Sequence, residues 1–243
     1  MISVRTYRRS KLGNSDEECE DAFSSNEDFS RIAIADGASD SIFSGVWASS
    51  LVDEFSKMDR SLYEDTGHTL SQLIKSARNS WYDRINWGGL SLFVKNKAIK
   101  GSFSTFLGVE MVEIEGGYVA NISAVGDSCF IMKNDASILS VPINDPSSFN
   151  STPRLIWSGY GAPFEKEFKW KKPVMQKFTF NVPYNCSFML ATDALSKWML
   201  EHREDSWETL MNADDPEAYF DLLRTKKEMR NDDVVLAIAT LGS

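Results

Sequence analysis

Acidic side chains stand at the ends of four short apolar segments of this chain. Asp36 follows RIAIA, Asp127 follows ANISAVG, Asp193 follows FMLAT, and Asp232 lies just before VVLAIA. Short apolar runs of this kind are typical of buried strands. A carboxylate at the tip of a buried strand is partly desolvated, which is unfavourable unless its charge is compensated. If the strands are neighbours, the carboxylates meet and repel one another, and a hard divalent cation would relieve that repulsion.

A fifth acidic site, Glu20-Asp21, opens the segment CEDAF. Each acid also has a simpler explanation when it is taken alone. Asp36 and Asp193 precede helical segments, where an aspartate commonly caps the helix. Asp127 fits a tight Gly-Asp-Ser turn and Asp232 the end of a loop, while Glu20-Asp21 belongs to an acidic run typical of a solvated surface. Spacing alone therefore leaves metal binding and helix capping both open.

The order of the predicted elements argues against a parallel sheet. Apolar runs predict strands before Asp36, a pair of helices between 42 and 86, and then a series of strands from 103 to 134. Two more strands follow, then helices from about 194 and near 216–229, and a last strand at VVLAIATL. This order lacks the βαβα alternation of parallel sheets. It favours an α+β fold in which antiparallel sheets are flanked by helices.

Composition narrows the classes of function. The 243 residues are 42% hydrophobic and 12% aromatic, enough for a sizeable core. We expect one domain over 1–243, because no repeat, linker or low-complexity tract interrupts the chain. A formal net charge of −9 argues against a nucleic-acid partner, which needs a concentrated basic surface.

The chain is also expected to be cytoplasmic, with no membrane partner. No run approaches the ~18 apolar residues of a membrane span, and the N-terminal residues lack the apolar core of a secretory signal. Three scattered cysteines are too few for a disulfide framework or a thiolate zinc site.

Five short motifs, in order from residue 20 to residue 240, resemble the metal-dependent protein phosphatases, the type 2C serine/threonine phosphatase family, in its bacterial branch. The motifs are Glu20-Asp21 in CEDAF, IADGASDS around Asp36, VGDS around Asp127, ATDAL around Asp193 and NDDVVLAI around Asp232. Each motif is weak alone, but five in order are specific for the fold. The resemblance implies a four-layer α-β-β-α sandwich, in which two antiparallel sheets pack face to face and helices lie outside.

The resemblance also implies a centre of two Mg²⁺ or Mn²⁺ ions, with a third, weaker ion, held by the oxygen ligands that suit both metals. Asp36 would bridge the two ions, Asp193 and Asp232 would hold the second, and these three would carry the catalysis. Two cations about 3.5–4 Å apart can share a water, lower its pKa and present hydroxide to phosphorus. The implied metal-site residues are Asp36, Asp193, Asp232, the Gly37 carbonyl, Asp127 for the third ion, and Glu20 through water with Asp21 close by.

Some positions depart from the family pattern. Asp16 stands where many members have an arginine that clamps the substrate phosphate, and Asp233 stands where the family usually has asparagine. The clamp is therefore missing or comes from elsewhere. The candidates to replace it are Arg5, Arg8, Arg9 and Lys11.

The activity that the resemblance implies is metal-dependent hydrolysis of phosphoserine and phosphothreonine in proteins, opposing a partner serine/threonine kinase. Two alternatives stay open: a catalytically silent relative that uses the fold as a binding module, and a hydrolase of small phosphoesters. The segment 143–173, with Trp157 and Trp170, lies where the family has a variable flap beside the site. A small satellite core under a long loop is the alternative for these tryptophans.

Overall fold

A computed structural model describes residues 1–64, 68–134, 137–150, 152–159 and 173–243. The strands are β1 (Ile2–Arg9), β2 (Ala22–Ser25), β3 (Arg31–Ala35), β4 (Phe103–Ser104), β5 (Phe106–Ile114), β6 (Gly117–Val125), β7 (Cys129–Lys133), β8 (Ile138–Val141), β9 (Ile156–Trp157), β10 (Gln176–Pro183), β11 (Ser187–Ala191) and β12 (Val234–Leu241). The helices are α1 (Ser44–Ser56), α2 (His68–Arg84), α3 (Leu92–Ala98), α4 (Asp193–Asn212) and α5 (Pro216–Thr225).

Ten of these strands form two antiparallel sheets. The order in the first sheet is β1-β12-β11-β7-β8, and the order in the second is β10-β6-β5-β3-β2. The short strands β4 and β9 pair separately. The antiparallel arrangement predicted from the order of elements is confirmed.

The two sheets pack face to face because their central strands are apolar on both sides. In β3, Ile32 and Ile34 enter the core between the sheets, whereas Ala33 and Ala35 pack with α1. Strand β12 alternates in the same way, with Val235 between the sheets and Leu236 against α4 and α5. Burial on both faces explains why these strands are continuous apolar runs in the sequence.

The helices cover the outer faces of the sheets. Helices α1 and α2 share a core with the second sheet through Trp47, Leu51 and Trp81. On the first sheet, α4 and α5 do the same through Trp198 and Phe220. The result is the predicted four-layer α-β-β-α sandwich.

Two helices differ from the expectation. Helix α3 was not predicted, because its large residues Leu92 and Phe93 are exposed and leave no buried stripe in the sequence. Helix α5 ends at Thr225 rather than near 229, because Lys227 adopts the left-handed conformation, with φ of 59°. A left-handed residue commonly terminates a helix.

No helix among the described residues combines the length and the apolar character that crossing a bilayer requires. Of the predicted flap, residues 151 and 160–172, which include Trp170, lie outside the described residues. Trp157 is buried, and its indole N–H donates to the Lys100 carbonyl at 2.8 Å. Its contacts fit a packing role rather than a role in holding substrate.

Candidate metal centre

The register of the first sheet brings three of the acids to one end. Strand β11 ends at Ala191, which lies opposite Leu236 of β12 and Cys129 of β7. Asp193 lies just after the end of β11, while Asp127 and Asp232 lie just before β7 and β12. In antiparallel neighbours the end of one strand faces the start of the next. The acids that follow β11 and those that precede β7 and β12 therefore lie at the same end of the sheet.

The second sheet adds Asp36 and Asp21 at the same place. Ala35, the last residue of β3, lies opposite Ala22, the first residue of β2, so Asp36 and Asp21 emerge side by side. The start of β5 and the end of β6 share this end of the sheet. Asp127, in the loop from β6 to β7, therefore lies where the two sheets join.

Three carboxylates form the tightest cluster. Oxygen atoms of Asp36, Asp127 and Asp193 all lie within 4.8 Å of one another. The backbone holds Asp36 firmly, because its N–H donates to Thr105 Oγ1 and its carbonyl accepts from the Thr105 N–H, both at 2.9 Å. The geometry thus presents three oxygen donors to one point.

Burial and mutual repulsion make the charged state of this cluster unfavourable. Burial, together with repulsion from Asp21, Asp193 and other acids, raises the pKa of Asp36 well above its usual range. Burial and the nearby Asp193 raise the pKa of Asp127 to about 7. Burial also raises the pKa of Asp193, against the opposing effect of Arg230. The cluster therefore needs protons or cations to be stable.

Two buried oxygen atoms point to a cation. Asp21 Oδ2 and Asp127 Oδ1 have no hydrogen-bond partner within the described part of the chain. The two residues are only 2% and 4% exposed, so bulk water cannot satisfy them. Buried acceptors without a partner are rare in folded proteins. An all-oxygen donor set with unsatisfied acceptors fits Mg²⁺ or Mn²⁺.

Glu20 lies beside the cluster rather than in it. Its carboxylate accepts from the hydroxyls of Ser39, at 2.5 Å, and Ser44, and it lies 3.5 Å from Lys11 Nζ. Gly37 makes this arrangement possible. A Cβ on Gly37 would lie 2.7 Å from the Ser44 carbonyl carbon and 2.8 Å from the Glu20 carbonyl oxygen.

The presence of Asp233, where the phosphatase motif usually has asparagine, has a structural explanation. Its two carboxylate oxygens accept the backbone N–H groups of Lys11 and Glu20, both at 2.8 Å. Asparagine has a single oxygen and can accept only on that side. The carboxylate of Asp233 thus ties the segment after β1 to the start of β12.

Only one of the four candidate phosphate clamps, Lys11, lies at the edge of the acidic centre. Arg8 donates to the carbonyls of Cys19 and Asp21, and Arg9 pairs with Asp221. Arg5 is exposed on β1. Lys11 Nζ lies 3.2 Å from Ser39 Oγ and beside Glu20.

Arg230 is a residue of the site that sequence reasoning missed. Its Nη2 donates to Asp193 Oδ2 at 2.5 Å and also to Asp232 Oδ2. The only signal in the sequence is its position two residues before Asp232. A cleft of about 720 Å³ opens beside these residues, and its lining includes Lys197 and Lys227.

No protein-family model matches the sequence, and a search of curated proteins finds no match. Solved structures match over the whole chain. The serine/threonine phosphatase PstP/Ppp of Mycobacterium tuberculosis shares 12% identity at a TM-score of 0.64, covering 100% of this chain and 99% of that one. Stp1 of Staphylococcus aureus shares 15% identity at a TM-score of 0.62, covering 100% and 96%.

A third structure is the catalytic domain of PstP in complex with two manganese ions. It shares 15% identity at a TM-score of 0.57, with full coverage of both chains. At such low identity the likeness concerns the backbone. The chain therefore has the fold of the bacterial serine/threonine phosphatases, the fold that its five motifs predicted.

Proposed function

We propose that this chain is a metal-dependent phosphatase that hydrolyses phosphoserine and phosphothreonine in proteins. The observation that carries the proposal is the meeting of Asp36, Asp127 and Asp193, whose oxygens lie within 4.8 Å of one another. Helix capping does not account for it, since Asp127 precedes a strand and Asp36 is seven residues away from the N-cap of α1, Phe43. The likeness to phosphatase structures supports the same reading.

The proposed centre holds two divalent cations, with a third, weaker one. Mg²⁺ and Mn²⁺ are the metals proposed, and PstP binds two manganese ions in its own structure. Unpartnered oxygens on Asp21 and Asp127 support the assignment. The proposed metal-site residues are Asp36, the Gly37 carbonyl, Asp127, Asp193 and Asp232, with Glu20 acting through water and Asp21 close by.

Bound divalent cations would supply Lewis acidity, which polarises a phosphoester and activates water. The residues of the chain prepare the site for that chemistry. Thr105 fixes Asp36 through two hydrogen bonds, and its hydroxyl is itself in contact with Ser128 Oγ at 3.0 Å. Rigid support of this kind keeps the carboxylates in place for reaction.

Lys11 is the residue proposed to hold the substrate phosphate in place of the missing arginine. Its ammonium group lies at the edge of the acidic centre, between Ser39 and Glu20. Attraction from Asp233, Glu20 and Asp232 outweighs burial and raises the pKa of Lys11 above its usual value, so the group is charged at neutral pH. A fixed ammonium is a common ligand of phosphate oxygens.

A protein substrate is proposed because the solved structures that share this fold are serine/threonine phosphatases. The cleft of about 720 Å³ beside the centre has Lys197 and Lys227 in its lining, and these offer positive charge to a phosphorylated segment. A serine/threonine kinase of the same cell would supply such a substrate.

The test is hydrolysis of p-nitrophenyl phosphate and of phosphoserine and phosphothreonine peptides with saturating Mn²⁺. We expect turnover that Asp36→Asn and Asp193→Asn each reduce at least about 100-fold, since both remove charge from the cation site. Asp214→Asn changes an exposed acid away from the cluster and should retain full activity.

Three outcomes would count against the proposal. Absence of turnover with every reagent, despite Mn²⁺ binding, would favour a silent binding module. Faster turnover of metabolite phosphomonoesters than of the phosphopeptides would favour a metabolite hydrolase. Equal activity of the Asp36 and Asp193 variants and the parent chain would show that the acidic cluster is not the catalytic site.

A further inference from the structure

Arg230 is the one cation that directly contacts the acids at the centre of the site, among the residues that the structure describes. A single nitrogen, Nη2, donates to both Asp193 Oδ2 and Asp232 Oδ2. Asp193 and Asp232 are the two acids proposed above to hold the second divalent cation. The positive charge of the guanidinium therefore lies where that cation would lie.

Arg230 favours the charged form of Asp127 only from a distance, and its ion pairs are with Asp193 and Asp232. Asp127 Oδ1 and Asp21 Oδ2 are buried and have no hydrogen-bond partner within the described chain. One guanidinium charge cannot neutralise the five carboxylates that repel one another here. Arg230 thus satisfies one oxygen each of Asp193 and Asp232, while the buried oxygens of Asp21 and Asp127 still require a cation.

The guanidinium is also the movable partner. The Arg230 side chain is 55% exposed, whereas those of Asp193 and Asp232 are 12% and 30% exposed. Asp193 is further fixed as the first residue of α4, and Arg230 lies in the loop before β12. Arg230 can therefore turn towards the open cleft, which it lines, while the carboxylates stay in place.

We propose that Arg230 is an internal cation that competes with the second divalent ion. The inference rests on the proposed metal centre. The first ion binds at Asp36 and the Gly37 carbonyl, where no described side chain has to be displaced. The second ion binds only after the guanidinium has left Asp193 and Asp232, which breaks two charge-assisted hydrogen bonds. Arg230 thereby sets how much metal is needed to fill the centre.

Mn²⁺ titration of the metal-free protein by calorimetry tests the inference. We expect the parent chain to bind one ion tightly and a second at least about tenfold more weakly, because charge-assisted bonds must be broken. Arg230→Gln should tighten the second ion at least about tenfold and leave the first within about threefold. Electron paramagnetic resonance during the Mn²⁺ titration should then show a spin-coupled pair of ions at lower total metal than in the parent.

Two further variants sharpen the test. Lys197→Gln removes the same charge from the same cleft. Lys197 pairs with Glu201 at 3.8 Å rather than with the acids of the metal centre, so the affinities for both Mn²⁺ ions should stay unchanged. Arg230→Lys keeps the charge on a shorter side chain that reaches the two carboxylates less well, so the second ion should tighten by about threefold. This variant also provides the test if Arg230→Gln fails to fold.

The possible failures are distinguishable. Equal affinities for the second ion in the parent chain, Arg230→Gln and Arg230→Lys would overturn the inference and leave the metal centre standing. A drop in melting temperature with no change in metal affinity would show that Arg230 is only a structural ion pair. Absence of Mn²⁺ binding in all variants would overturn the metal centre, and the inference with it.

Discussion

The backbone N–H of Glu20 donates to Asp233 Oδ2 at 2.8 Å, across 213 positions of sequence. The other oxygen of Asp233 accepts the N–H of Lys11 at the same distance. One buried carboxylate therefore holds the segment that carries Glu20 and Asp21 against the start of β12.

Replacement of Asp233 by alanine should destabilise the protein. Two backbone N–H groups would lose their acceptor, at a cost that exceeds the relief of repulsion with the neighbouring acids. We expect a loss of about 1–3 kcal/mol in the free energy of unfolding, measured by urea denaturation. Asp233→Asn keeps one acceptor and should lie between the parent and Asp233→Ala. A stabilised alanine variant would contradict the assigned role.

Alanine at Gly37 should disrupt both stability and the site. Its Cβ would lie under 3.0 Å from backbone atoms of Ser44 and Glu20, which cannot move without shifting α1 or the acidic segment. We expect a loss of about 1–3 kcal/mol on thermal or urea unfolding, together with weaker Mn²⁺ binding. Gly88→Ala is the matched control, because its Cβ would meet only Asn86 at 3.6 Å. Similar effects of the two substitutions would refute the steric argument.

Removal of the Asp127 charge should stabilise the metal-free protein and weaken metal binding. Asp127→Asn takes one buried charge out of a cluster of like charges and leaves a side chain of nearly the same size. At pH 8 with a chelator, we expect a higher melting temperature than in the parent chain. The increase on adding Mn²⁺ should be smaller than in the parent. A lower melting temperature of the metal-free variant would count against repulsion at the cluster.

The metal-free protein should become less stable as the pH rises through neutrality. The pKa of Asp127 is about 7 in the folded chain, against an ordinary value of 3.8, so the folded state holds the proton more tightly. The resulting stabilisation is complete below the ordinary pKa and is lost as the pH rises through about 7. The raised pKa of Asp36 acts in the same direction.

Differential scanning fluorimetry with a chelator, between pH 5.5 and 8.5, measures this effect. Each pKa unit corresponds to about 1.4 kcal/mol, or roughly 3–5 °C for a chain of this size. The melting temperature should fall across the range, and saturating Mn²⁺ should remove most of the fall. A melting temperature that is constant or rises with pH in the chelated sample would contradict the assignment.

The apolar runs and the acidic motifs were enough to predict the fold and to place each acid near the end of a strand. Strands such as β3 and β12 are buried on both faces, so a continuous apolar run in the sequence identifies each of them. The five motifs added the antiparallel sandwich. Helix α3 was missed because it buries little apolar surface, and local pattern then carries no signal.

The amino-acid sequence by itself determined which residues could be ligands, because the acids flank recognisable strands. Only the tertiary structure decided which of them share a point: Asp36, Asp127 and Asp193 meet, while Glu20 turns to Ser39, Ser44 and Lys11. It also decided that Arg230 lies on Asp193, 37 positions away. Such contacts depend on strand register and on packing between sheets, which local periodicity does not encode.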